Sequence, residues 1–198
     1  MKSSNLIIAG VIALLFFMGC NNYNGMVTSS ENVTQKWANV ENLYQRRADL
    51  IPNLVATVKQ AASTEQAILT QVIEARSKAT QIKIDPTNAT PEQLAEFQKR
   101  QGELGSALGR LLMVTEQYPQ LQSIAGFGDL RAELAGSENR LSVARQDFNT
   151  VVQAYNVSVK RFPANLFAGV FGFKERAYFQ AEAGSKTNPN VGNLFENK

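Results

Sequence analysis

Residues 33–58 read VTQKWANVENLYQRRADLIPNLVATV. Within them Trp37, Val40, Tyr44, Ile51, Leu54 and Val58 recur at spacings of three and four or their sum, and Arg47 falls in the same phase. That period is the seam of a long helix packed in a bundle. The series continues through Ala61, Ile68 and Val72, with Glu65 in phase, and glycine is absent from Met26 to Ile84. Pro52 is the one interruption. An interior proline removes a backbone hydrogen bond and kinks or restarts a helix, so the spacing predicts one bent helix or two stacked halves ending near Ala79.

Downstream, KIDPTNATPEQL (residues 83–94) is punctuation, with Thr90 as an N-cap and Pro91 at the first helical position. The helix it opens carries Leu94, Phe97, Gln101, Leu104, Leu108 and Leu111 on one face and stops at Tyr118 and Pro119. QSIAGFG (residues 122–128) makes a second break. A third long helix follows, with Leu130, Leu134, Glu138, Leu141, Arg145, Phe148, Val152, Tyr155, Val159 and Phe162 in phase, until Pro163.

Beyond it Phe167, Phe171, Phe173, Tyr178 and Phe179 crowd a short stretch. This reads as a short helix or hook capping the bundle, with an aromatic contact surface for a partner as the alternative. Residues 181–198 are polar and rich in turn formers, the composition of a flexible tail. No stretch alternates like a strand. The fold class is all-α: an elongated antiparallel bundle of three long helices plus a short C-terminal helical element, spanning residues 31–180 behind an N-terminal signal or anchor segment. Because the first helical region is about twice as long as the second, its part around Trp37, Val40 and Tyr44 is expected to lack an intrachain partner and to pair with another copy or an envelope protein.

Before the bundle, Leu6 to Met18 contains no charged or strongly polar residue and follows Lys2. As a helix extended to Cys20 it reaches about 22 Å, short of the roughly 30 Å of a hydrocarbon core. A positive start, an apolar centre and a small residue at the end match a secretory signal peptide over residues 1–19. The ending FMGC resembles the lipobox of bacterial lipoproteins, which implies cleavage before Cys20, lipid on its sulfur, and residues 20–30 as the linker from that anchor. The alternative is an uncleaved short anchor with an incidental cysteine. Either reading leaves the rest of the chain outside the cytoplasm, beside the bilayer.

Composition removes most chemistry. There is no histidine, the usual general base near neutral pH and the commonest metal ligand. A single cysteine permits no intrachain disulfide and no zinc cluster. Set against 17 acidic side chains, the 20 lysines and arginines form no basic stripe, so nucleic acid is not expected as a partner. No cofactor and no metal are implied.

Two segments, RRADLIPNLVATVK (46–59) and ENRLSVARQDFNTVVQAYNVSVKRFP (138–163), occur with GCNNYN before them and with YPQLQSIAGFGDLRAEL and FGFKERAYF around the third helix. Together, in this order, they resemble the LemA family across roughly residues 20–180. The resemblance implies a bacterial protein attached to a membrane at its N-terminus, helical outside it, and without an established enzymatic activity. Tyr23 and Asn24 match the pair that follows the anchor helix in many members.

Read as residues, Arg47, Glu138 and Arg145 occupy seam phases where a charge is costly unless paired. Antiparallel packing brings Arg47 towards Glu138, so an ion-pair network that sets helix register is expected, with a polar ligand or partner site as the alternative. Asn149 and Asn156, seven apart, read as buried amides satisfying one another. Asp49 and Asn53 flank Pro52 and are expected to satisfy the backbone it opens. The residues thus point to a non-enzymatic membrane-anchored scaffold or adaptor of the cell envelope, with a membrane-remodelling oligomer, or an enzyme using Glu138, Arg145 and nearby carboxylates, as rivals.

Overall fold

One helix, α1 (Lys2–Ala61), carries the whole opening seam. In the computed structural model, which describes residues 2–61 and 65–180, Val33, Trp37, Val40, Tyr44, Ile51, Leu54 and Val58 all lie buried along it. After α1 come α2 (Gln66–Gln81), α3 (Pro91–Thr115), a 3-10 turn (Pro119–Ser123), α4 (Phe127–Lys160) and α5 (Ala164–Phe171), with no strand among the described residues. The fold is an all-α helical bundle. The expected tail, 181–198, lies outside the described residues.

The first helical region divides differently from expectation. α1 runs through Pro52 to Ala61, and α2 then turns back along it instead of continuing to Ala79. The reason is burial: Ile51, Leu54 and Val58 share one core with Leu69, Val72 and Ala79, which a straight continuation would carry away. α3 pairs antiparallel with α2, and just past its end the Tyr118 hydroxyl donates to Glu65, at the start of α2, at 2.8 Å. Its start is fixed by a reciprocal capping box between Thr90 and Gln93. α4 descends antiparallel to α1, as the pairs Arg46–Glu133, Arg47–Glu138 and Lys36–Asp147 record.

Two cores result. The distal one is aliphatic, built from Ile51, Leu54, Val58, Val72, Leu104, Leu108, Leu111 and Leu134. The one nearer the N-terminus is aromatic, with Trp37 against Phe97, Phe148 and Phe179 at ring-centroid distances of 5.6, 5.4 and 5.8 Å. The region around Trp37, Val40 and Tyr44 therefore has intrachain partners, contrary to expectation, because α4 runs alongside it and the C-terminal aromatics fold back over it. Residues 20–30, expected as a linker, are helical, and Met26 among them belongs to this core.

Candidate functional site

Between the two cores three helices place polar residues at one level: Arg47 on α1, Gln101 on α3, and Ser137 with Glu138 on α4. Arg47 is only 6% exposed, and its Nη1 lies 3.0 Å from Glu138 Oε2. Arg145 Nη2 reaches Glu138 Oε1 at 3.9 Å, and its guanidinium lies 5.7 Å from the Tyr44 ring centroid. Burial pushes the Tyr44 phenol up, and the Arg145 charge opposes that push. Gly105 leaves room for Arg47, since a Cβ there would stand 3.0 Å from its Nη2. The expected pairing is present, but the Glu138 side chain is 55% exposed, at the rim of the seam. One solvated carboxylate thus lies between two guanidiniums and links α1 to α4.

Asp49, Pro52 and Asn53 all face solvent. A proline at 52 cannot donate to the carbonyl of Ala48, and that carbonyl instead accepts from Arg76 Nε of α2 at 2.7 Å. The opened backbone is thus satisfied by Arg76, not by Asp49 or Asn53 as expected. Asp49 Oδ1 accepts from Gln45 at 2.8 Å, and the Asn53 carbonyl accepts from the Thr57 hydroxyl at 2.8 Å. The reason is geometric: the freed carbonyl points into the α1–α2 contact, away from its exposed neighbours.

Asn149 and Asn156 do not satisfy one another. Each grips the backbone of the segment after α5: Asn156 Nδ2 donates to the Arg176 carbonyl and its Oδ1 accepts from the Arg176 N–H, both at 2.9 Å. Asn149 does the same to Phe179, at 3.0 and 2.9 Å, and Gln98 of α3 to Gln180, at 2.9 and 3.1 Å. The fit follows from periodicity, since seven helical residues rise about 10.5 Å and three extended residues span about 10 Å. Residues 173–180 therefore form a strap over α4. Arg176, buried, donates to the Ser30 carbonyl at 3.1 Å and to its Oγ at 2.7 Å, and lies 4.6 Å from the Tyr155 centroid. Arg76, Gln98 and Arg176 escaped the sequence reading because each contacts backbone remote in the chain.

A cleft of about 110 Å³ between α1, α2 and Ile82–Ile84, floored by Trp37 and Phe97, is below the usual range for small-molecule sites. A groove of about 470 Å³ beside Arg145, Asn149 and the strap is broad and open. The carboxyls displaced from their ordinary range are Asp85, lowered by hydrogen bonds from Thr87 and Asn88, and Glu92, lowered by its own backbone N–H and the Thr90 hydroxyl. Neither lines these cavities, and a lowered carboxyl is a poor general acid.

At the other end, Leu6, Phe16 and Phe17 are exposed on the first turns of α1, a helix long and apolar enough there to cross a membrane. Cys20 is a free, exposed thiol just past that run. α5 packs beside this junction, with Phe171 and Phe173 edge-on to Tyr23 at 4.9 and 5.7 Å.

Similarity to known proteins agrees with this plan. The chain is 30% identical over 210 aligned positions to magnetosome protein MamQ 2 of Paramagnetospirillum magneticum, covering 96% of this chain and 77% of that one. MamQ 1 of the same organism aligns equally well. MamQ of Magnetospirillum gryphiswaldense is 29% identical, covering 88% of this chain and 70% of that one. Residues 36–192 match the LemA family, so α1 from Lys36, the α2–α3 hairpin, α4, α5 and the strap are its shared body, and the chain belongs to the LemA family.

Proposed function

We propose that this protein is a non-enzymatic scaffold or adaptor of the bacterial envelope, anchored in the membrane by its N-terminus, with the bundle on the extracytoplasmic side. One observation carries the proposal. The apolar run from Leu6 to Met18, with Leu6, Leu14, Phe16 and Phe17 exposed, and the buried seam from Met26 to Val58 belong to one uninterrupted helix, so anchor and bundle are joined as one body. A rigid body tied to a bilayer raises the effective concentration of its faces for partners in the same membrane. Lys2 ahead of the apolar run supports the outward orientation, because positive charge stays on the cytoplasmic side.

The non-enzymatic reading draws support from the register-setting role of Arg47, Glu138 and Arg145 and from the strap-holding role of Asn149 and Asn156. For the anchor itself, the lipoprotein form keeps α1 from Cys20 onward and replaces residues 1–19 with acyl chains, two of which hold a protein stably. Intact mass of protein from native membranes, beside Cys20→Ser, tests that form. Loss of residues 1–19 with added acyl mass, absent in the variant, supports it; an intact unacylated chain assigns anchoring to the helix. Alkaline phosphatase fused after Lys198 tests the side: the reading requires an active fusion, and an inactive one overturns it.

A further inference from the structure

α5 and the turn that enters it present apolar side chains that nothing among the described residues covers. Leu166 and Val170, one turn apart on α5, are 62% and 81% exposed, and Phe162 in the turn before α5 is 77% exposed, while Ala168 on the opposite side of α5 is buried against the bundle. A soluble protein loses stabilisation by leaving three such side chains in water, at about 25 cal/mol per Å² of apolar surface. α5 contains no charged residue. Its position on α1 is specific: a Cβ at Gly19 would stand 3.1 Å from the Phe167 ring, and Phe171 closes an apolar notch of about 360 Å³ with Phe16, Cys20, Tyr23 and Asn24.

That level on α1 is where the apolar run ends and amides begin, which in an anchored protein is the boundary between acyl chains and headgroups. Cations flank this apolar stretch. Arg161 and Lys174 are exposed at its two ends, and Lys160 beside them pairs with Glu175 at 2.7 Å. An apolar stripe with aromatic neighbours and a local excess of positive charge is the composition of a helix that lies in a membrane interface.

We propose that α5 is a second membrane contact: its Leu166–Val170 face, with Phe162 in the turn before it, lies in the headgroup and upper acyl region of the same bilayer that holds the N-terminus, with Arg161 and Lys174 towards anionic headgroups. A second contact adds to the first in fixing how the bundle is inclined to the bilayer. The contact also orders the strap, since residues 173–180 leave directly from the end of α5. The inference rests on the anchor reading above and holds whether Cys20 or residues 2–19 supply the first contact.

The test uses the full chain carrying Cys20→Ser, placed in vesicles of phosphatidylethanolamine and phosphatidylglycerol. Single cysteines at Val170, at Phe16 in the anchor and at Ser142 on α4 each carry an environment-sensitive fluorophore. Quenching is read with nitroxide lipids labelled high on the acyl chain and with water-borne iodide. The proposal expects lipid-borne quenching at 170 severalfold above that at 142, with iodide excluded. It further expects Leu166→Glu to return 170 to the level of 142 while helical circular dichroism is unchanged. Iodide quenching at 170 with a dry label at 16 overturns the second contact alone; iodide quenching at both overturns the anchor. A label at 170 shielded from both quenchers means a protein covers α5, and also overturns the proposal.

Discussion

The half of the bundle around Trp37 is packed with rings and closed by a segment from far along the chain, whereas the half around Leu54 is aliphatic and closed by α2 and α3, its neighbours in sequence. The difference has a simple origin. α2 ends at Gln81 and α3 begins at Pro91, so towards the N-terminus α1 and α4 lose two of their covering helices. An extended strap is thinner than a helix, and large rings fill the space it leaves: Phe179 lies nearly parallel to Trp37, with 17° between the planes. Carboxamides then supply the backbone partners that a helix would have supplied to itself. The distal core draws mostly on α1, α2 and α3, with Phe127 and Leu134 from α4; the aromatic core is completed by Phe179 of the strap.

Truncating each core separates the two halves most strongly. Trp37→Ala is expected to cost about 3–5 kcal/mol and Leu111→Ala about 2–5 kcal/mol in denaturant unfolding. Hydrogen exchange should distinguish them, because only Trp37→Ala exposes the amides of residues 173–180. Equal protection of the strap in both variants would break the distinction.

Next in size is Asn156→Ala, which strips partners from the buried N–H and carbonyl of Arg176. A loss of about 2–3 kcal/mol is expected, with strap exchange accelerated and the exchange of α2 unchanged. Arg76→Met should cost about 1–2 kcal/mol by orphaning the Ala48 carbonyl. In a Pro52→Ala background that cost should shrink, because an N–H at 52 can serve the same carbonyl; an undiminished cost would mean Arg76 acts through something other than the proline gap.

The smallest effect concerns Asp85 in the turn before α3, where bonds from Thr87 and Asn88 hold the carboxyl below its ordinary range. A depressed folded pKa contributes stability above the unfolded value near 3.8, and that contribution is lost as pH falls through the folded value. Asp85→Asn should therefore lose that slight contribution at neutral pH and, having no carboxyl to protonate, flatten the acid-limb fall below about pH 4.

The sequence carried the seams well. Trp37 to Val58, Leu94 to Leu111 and Leu134 to Val159 are buried in phase, since helical period and burial are one constraint. Arg47 and Glu138 were legible for the same reason: a charge in a seam phase demands a partner at the matching level. The end of α1 at Ala61 was not, because it is the return of Leu69 and Val72 on α2 to the core that divides the two helices, while Pro52, the conspicuous punctuation, lies on a solvent face. The strap was read only as an aromatic cap or surface. Its signal is present in Asn149 and Asn156, whose spacing along a helix equals that of two points three residues apart on an extended chain, but a backbone partner leaves no trace in residue identity.

On the proposed reading anchor and bundle are one body, joined by unbroken helix across residues 20–30. Hydrogen–deuterium exchange of the native protein in its membrane, resolved over residues 20–33, tests it most directly. The account predicts slow exchange there, continuous with the protection of Trp37 and Val40. Exchange as fast as in an unfolded chain would mean a flexible linker, an untethered bundle orientation, and a different mechanism.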